Sequence, residues 1–584
     1  MNFERVMVRR LNSKTLLGLL ALIGALSIVI GVVWYSSVDA TGYTRTVGFG
    51  GYPSINSAVQ ASAAGDTIVV QAGVYYEQVT LKSGITIEAA PGAAVAVDGS
   101  EASLVSAGWQ NYSGDVYYAN VSWAVYYVAQ DDLRLFRYGG LSGLLPGGYF
   151  NDTGAGRVYV RLSDGTSPSL HQMHVARRDA AFLWAGADNV TLRGLESRYC
   201  NGEACLELTG GADNNLIESN VVHGAKFGIV VGDGQSSLPR SGTGNTIRSS
   251  TVYETGYKAA GWSWDAVKAT QQEGAGIFLN GTGAATLENN TVRSGFDGID
   301  VHYSDNAVLS GNTVSDCTDD GLEMDIANGS YDRAWGNTVY NCYVAVSASP
   351  VEVGPLYVYR NQLINNTLAA FKVGWDTNSS IGAVYFYHNS VYTTVPGSNG
   401  ITDYGGHLGS NIFFRNNAIF VPRYAIEQSG LGISLDADNL APPPGSKYTI
   451  WQGVEYSTLN SFQGGTGQET HGIEGLTGFV APPLDLHLLA TSANIDRGVV
   501  LPGFNDNFCG AAPDIGAFEY CPTAPAWPSS PTPTPNWSAS STPPPSATAT
   551  TVPTPTPAPT LAAGGTPAVV STPRGNRYGW WKIK

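Results

Sequence analysis

Two stretches, "GFDGIDVHYSD" at 295–305 and "CTDDGLEMD" at 317–325, set acid over acid at a constant offset of 23 residues. Aligned on their Asp-Gly pairs, Asp297 falls on Asp320, Asp300 on Glu323 and His302 on Asp325, with Asp319 alongside. Only 13% of the chain is charged, so such columns ask for a chemical reason. Carboxyls about 5–5.5 Å apart serve retaining glycoside hydrolysis: one attacks the anomeric carbon, the other protonates the leaving oxygen and then activates water. Acids about 6.5–9.5 Å apart serve the inverting reaction, for which Asp297 with Asp325, or Asp320 with Asp300, are the candidates. A third chemistry is β-elimination on a uronic-acid polymer. There Asp297, Asp300, Asp320, Glu323 and Asp325 would hold Ca²⁺ and Lys372 would take the α-proton. A solvated acidic face is the bland alternative, and a Ca²⁺-bridged binding or adhesin solenoid the non-enzymatic one.

Whether these groups meet depends on the elements that carry them. The middle of the chain repeats an Asn or Ser before a short β run, at Asn220, Ser250, Asn290, Asn312, Asn337, Asn361, Asn389 and Asn417. The steps from Asn290 to Asn361 are 22, 25 and 24 residues, the period of a solenoid coil. A stacked Asn in each turn can hydrogen-bond the turns above and below. In "GIFLN", "GIDVH", "GLEMD", "AVSAS" and "AFKVG" apolar residues alternate with others. Ile277/Leu279, Ile299/Val301, Leu322/Met324, Val346/Ala348 and Phe371/Val373 therefore share one core. Phe278/Asn280, Asp300/His302, Glu323/Asp325, Ser347/Ser349 and Lys372/Gly374 must point outward. The pattern predicts an all-β, right-handed parallel β-helix, with Asp300 and Glu323 on one face about 4.8 Å apart and Lys372 two coils on.

On these motifs the chain resembles the pectate-lyase-like β-helix superfamily from about Tyr43 to Tyr520. "YPSINSAVQASAAGDTIVVQAGVYYEQVTL" is similar to its N-terminal capping helix and first coil, and "DLRLFRYGGLSGLLPGGYFNDTGAGRVYVRLSDGTSP" to a β-rich insertion of carbohydrate-active members. "SANIDRG" and "PDIGAFEY" resemble a closing coil. The acid layout is similar to that of β-helix retaining glycosidases of the β-xylosidase type, which implies Asp300 as nucleophile and Glu323 as acid/base. The aromatic-rich wording around the acids of those families is absent here. In this reading Asp297, Asp320, Asp325, His302 and Lys372 support the pair, with no cofactor. Ca²⁺ enters only with the lyase alternative. Trp262 and Trp264, in the insertion "GYKAAGWSWDAVKATQQEGAG", and Trp375, in "FKVGWD", are the candidates for stacking on sugar faces.

Compartment and partners follow from composition. Basic residues precede an apolar run from Leu16 to Trp34, which sends the remainder outward as a signal peptide or signal anchor. A secreted or membrane-anchored, cell-surface monomer with the β-helix outside is expected. Six cysteines fit an oxidising compartment, and proximity favours Cys200 with Cys205, Cys317 with Cys342, and Cys509 with Cys521. A net charge of −16 argues against a nucleic-acid partner and leaves a glycan as the expected one. The organisation read is 1–40 leader, 41–100 cap and first coils, 101–180 insertion, 181–521 β-helix core and closing coil, 522–573 Pro/Thr-rich linker, and 574–584 basic aromatic tail.

Overall fold

The computed structural model describes residues 42–522 apart from 235–239, 255–256, 258–260, 325–328, 375–381, 404–410, 429–431 and 443–447. The leader, the linker beyond Pro522, the basic tail, Asp325 and Trp375 lie outside the described residues. Among the described residues no helix is long and apolar enough to cross a membrane.

The chain winds into a parallel β-helix. Three sheets run its length, two of 13 strands and one of 12, and equivalent strands of successive coils pair in parallel. Every residue assigned inward by alternation, from Ile277 to Val373, is 0% exposed and belongs to one continuous core running from Val47 to Phe462.

The Asn column is a hydrogen-bonded ladder. Asn312 donates its backbone N–H and its Nδ2 to Asn337 Oδ1 at 2.9 and 3.0 Å, and Asn337 does the same to Asn361. The series continues through Asn389 and Asn417 to Asp438. The residue before each rung holds a positive φ, from Ser219 and Asn289 to Gly311 and Gly336. That left-handed residue turns the chain and drops the next side chain inward. At Gly311 a Cβ would lie 2.5 Å from Asn289 Oδ1, so glycine is needed there for space as well as for φ.

The ends and flanks depart from the coil. The helix α1 (Ile55–Ala61), capped by Ser54, buries Ile55, Ala58 and Val59 against the first coils. After the strand Val95–Asp98 the chain builds a five-stranded and a three-stranded sheet around Val128, Tyr149, Val160 and Met173, before rejoining at Phe182–Leu183. This insertion docks back on the coil: Arg134 Nη1 donates to Tyr257 Oη at 2.8 Å and Tyr127 Oη to Glu254 at 3.0 Å. The helix α2 (Trp264–Ala269) follows Tyr257 in the chain. At the other end α3 (Leu459–Thr466) closes the core with Phe462. The "PDIGAFEY" segment does not stack as one more coil; its amides bond back along the flank to Ser390 Oγ and the Asn416 carbonyl. The three disulfides join Cys200–Cys205, Cys317–Cys342 and Cys509–Cys521, with Cα separations of 5.3, 4.4 and 5.5 Å. The second staples the coil that carries Glu323 to the next.

Candidate active site

Five consecutive strands of one sheet carry the acids: β1 (Ala275–Asn280), β2 (Asp297–His302), β3 (Asp320–Glu323), β4 (Val344–Ala348) and β5 (Ala369–Val373). Their register sets Phe278, Asp300, Glu323, Ser347 and Lys372 in one outward column. Asn280 stands beside His302 in the neighbouring column. The direction of each side chain matches its alternation.

The acids point away from the core yet are covered. Asp300 is 7% exposed, His302 8%, Asp297 5% and Asp320 1%, while Glu323 is half-buried. Asp300, His302 and Glu323 each bring one donor atom within 4.8 Å of the others. His302 Nε2 lies 3.0 Å from Asp300 Oδ1, and its imidazole stands edge-on to Phe278 at 5.3 Å between centroids.

A second group of acids flanks this cluster, each held by a partner. Asp297 Oδ1 accepts from the Asp320 N–H at 3.0 Å. Lys372 Nζ donates to Asp320 Oδ2 at 2.7 Å. Asp319 Oδ2 accepts the Trp264 indole N–H at 2.6 Å and lies 3.8 Å from Lys268 Nζ. Burial, with Asp319 next in weight, pushes Asp297 well above the usual carboxylate range. Burial and Asp320 together push Asp319 up to about 6, against the pull of Lys372 and Lys268. Burial alone would lower Lys268, but Asp297, Glu323 and Asp319 outweigh it and hold its ammonium above the ordinary value.

Several supporting residues assume places that periodicity does not give. The repeat does not announce Lys268, but "SWDAVK" carries its signal: Ser263 caps α2 and places Lys268 in the last turn, where it sits over the Phe296 ring at 4.8 Å. Trp264 is 43% exposed at the rim. Trp262 instead packs between insertion and coil, edge-on to Phe136 at 4.8 Å and to Tyr257 at 5.6 Å. Lys372 stands in the expected column as the ion-pair partner of Asp320. Asp325, the fifth carboxylate of the Ca²⁺ set, lies outside the described residues; among the described ones Asp300, His302 and Glu323 bring donor atoms within 4.8 Å of one another.

The profile of the family described as "Periplasmic copper-binding protein (NosD)" matches residues 166–394. No curated protein matches the chain. Among solved structures, the chain is similar to XylC in complex with xylose at 18% identity, over 62% of this chain and 72% of that one, with a TM-score of 0.48. It is similar to pectate lyase Pel9A at 15% identity, over 82% and 96%, with a TM-score of 0.40. The Streptococcus pneumoniae surface protein and adhesin PfbA shares 12% identity over 65% and 88%, with a TM-score of 0.38. These likenesses concern the fold alone. Copper finds a poor donor set among the described residues: all cysteines there are in disulfides, Met173 and Met324 are 0% exposed in apolar cores, and the cluster offers one imidazole and two carboxylates. Soft sulfur ligands for Cu(I) are missing from that set.

Proposed function

We propose that the chain is an exported, carbohydrate-active enzyme that hydrolyses a glycosidic bond with retention of configuration. The observation that carries this is the direct pairing of Asp300 with Glu323 on adjacent coils, with one carboxylate oxygen of each within 4.8 Å, much nearer the separation of about 5–5.5 Å of a retaining pair than the about 6.5–9.5 Å of an inverting one. The covered Asp300 suits the nucleophile, which works best shielded from water. The half-buried Glu323 suits the acid/base, which must exchange a proton with the leaving group and with incoming water.

In the first half-reaction an Asp300 oxygen bonds to the anomeric carbon as the glycosidic C–O bond breaks. The Glu323 proton goes to the departing oxygen. In the second, Glu323 takes a proton from water, whose oxygen displaces Asp300 and frees the sugar. His302, in contact with Asp300, is the positioning residue for the attacking oxygen. Three disulfides support export to an oxidising compartment.

Asp300→Asn should abolish turnover. Glu323→Gln should spare the first step on glycosides with activated leaving groups, and azide should rescue Glu323→Ala as a glycosyl azide of retained configuration, read by NMR. A Ca²⁺-dependent lyase is the competing reading, favoured by Lys372 standing in the acid column. Loss of activity in EDTA, with products absorbing at about 235 nm, would install it. Full turnover in Asp300→Asn/Glu323→Gln would remove both readings of this site, whereas a native chain that binds glycans and turns over none would leave a glycan-binding solenoid.

A further inference from the structure

Two exposed rings stand at one corner of the coil, beside the acids but away from the stacked pair. Tyr343 directly follows Cys342, whose disulfide with Cys317 staples its coil to the one before. Its backbone N–H donates to the Asp319 carbonyl at 2.9 Å, and its own carbonyl accepts from the Leu368 N–H at 2.7 Å. The main chain under the ring is therefore fixed from both neighbouring coils, while the side chain is 40% exposed. Burial, then Asp319 and Asp320, raise its phenol above the ordinary value, which places the ring in the field of those carboxyls. Trp264 reaches the same Asp319 with its indole N–H, carries Lys268 over its ring at 5.6 Å and is also exposed. The corner is able to cover an aromatic side chain. Phe296, bonded through its carbonyl to the Asp319 N–H one coil on, is 0% exposed. Tyr343 and Trp264 are left open beside it, with bases held and ring surface free.

We propose that Tyr343 and Trp264 form an aromatic subsite for a sugar ring remote from the cleaved bond, and that the substrate is a chain of at least three rings rather than a short glycoside. The inference deepens the glycosidase reading and rests on it for the place of the cleaved bond, at Asp300 and Glu323. Spacing carries the argument. Asp319, which Trp264 holds, precedes Glu323 by four residues, or about 13 Å of extended chain at about 3.3 Å per residue. One ring seated at the reacting pair does not cover that gap. A second ring fills it, and the next one meets Tyr343 and Trp264. A glycan held at both points crosses the face along the strands, not along the solenoid axis. The apolar face of a sugar packs on an aromatic ring, and two rings anchored before the glycan arrives lose little freedom on binding it.

Calorimetric titration of the exported chain carrying Asp300→Asn tests this without turnover. The probes are oligosaccharides of one to five rings prepared from xylan, cellulose and polygalacturonate. In at least one series the affinity should rise by roughly fivefold or more on passing from two rings to three, the worth of two aromatic contacts. Adding Tyr343→Ala or Trp264→Ala should each shrink that step by roughly twofold or more, and the two together should remove it. Tyr343→Phe, which keeps the ring, should retain the step. No binding of any oligosaccharide, no rise between two rings and three in any series, or a step that survives the double substitution would each overturn the proposal. So would an equal loss for short and long chains, the mark of a structural role. Failure of the glycosidase reading is read separately, from the turnover of the native chain and of Asp300→Asn. A native chain that shows this length dependence in binding and hydrolyses nothing would keep the subsite and lose the reaction.

Discussion

Lys372 separates two chemistries because its removal has a different signature in each. As the counter-ion of Asp320 it is a stability residue; as the base of an elimination it is a turnover residue. The carboxyl of Asp320 is 1% exposed and its Oδ2 lies 2.7 Å from Nζ, whose side chain is itself 16% exposed. Deleting one partner of such a pair strands a buried charge and costs about 3–5 kcal/mol. An unfolding entropy of roughly 2.1 cal/mol/K per residue gives a β-helix of this length about 1 kcal/mol/K, so Lys372→Met should lower the melting temperature by about 3–5 °C. Adding Asp320→Asn removes the stranded charge, and the pair should recover about 2–3 kcal/mol of that loss. The assay is a double-mutant cycle in urea, followed by tryptophan fluorescence, with turnover measured on the same four proteins. Lys372→Met of native stability but without turnover, and not restored by Asp320→Asn, would refute the counter-ion reasoning and make Lys372 the base.

Three further outcomes follow from the same physical terms. Asn337→Ala strands two hydrogen-bonding groups of Asn312 and the Leu309 carbonyl, and should cost about 3–9 kcal/mol in a urea melt, at about 1–3 kcal/mol per buried group. Asp438, which ends the ladder against Glu469, is pushed by burial up to about 6 from its ordinary 3.8. Its contribution to stability is therefore full below pH 3.8 and lost as the pH rises through about 6. Asp438→Asn should flatten that part of the stability profile, measured by thermal melts from pH 4 to 7. Lys268 interacts with Asp297, Glu323 and Asp319, so Lys268→Met should move the alkaline limb of the pH–rate profile to higher pH, since the remaining carboxyls then hold their protons longer.

The coil was legible in the sequence because its physics repeats. An Asn rung works only if the next coil supplies another, so Asn290, Asn312, Asn337, Asn361, Asn389 and Asn417 recur in register and can be counted. Alternation likewise set the direction of Asp300 and Glu323, because a strand has only two faces. The disulfide of Cys317 with Cys342 could be read for the same reason, both residues preceding matching strands. What alternation cannot encode is what lies over the outward face.

That cover comes from segments that occur once. Lys268 and Trp264 reach Asp319 on a six-residue helix, Trp264–Ala269, and Arg134 docks on Tyr257, a few residues before it, across 123 residues of sequence. No period announces such a contact. Its consequence is chemical, since burial under this cover dominates the upward shifts of Asp297 and Asp319. A bare acidic face would leave these carboxyls ionised and mutually repelling. Covered, Asp297 sits well above the usual carboxylate range and Asp319 at about 6, and Asp320 is paired with Lys372. The repeat therefore supplies the spacing of Asp300 and Glu323, and the aperiodic insertions supply the environment in which two stacked acids can take different roles.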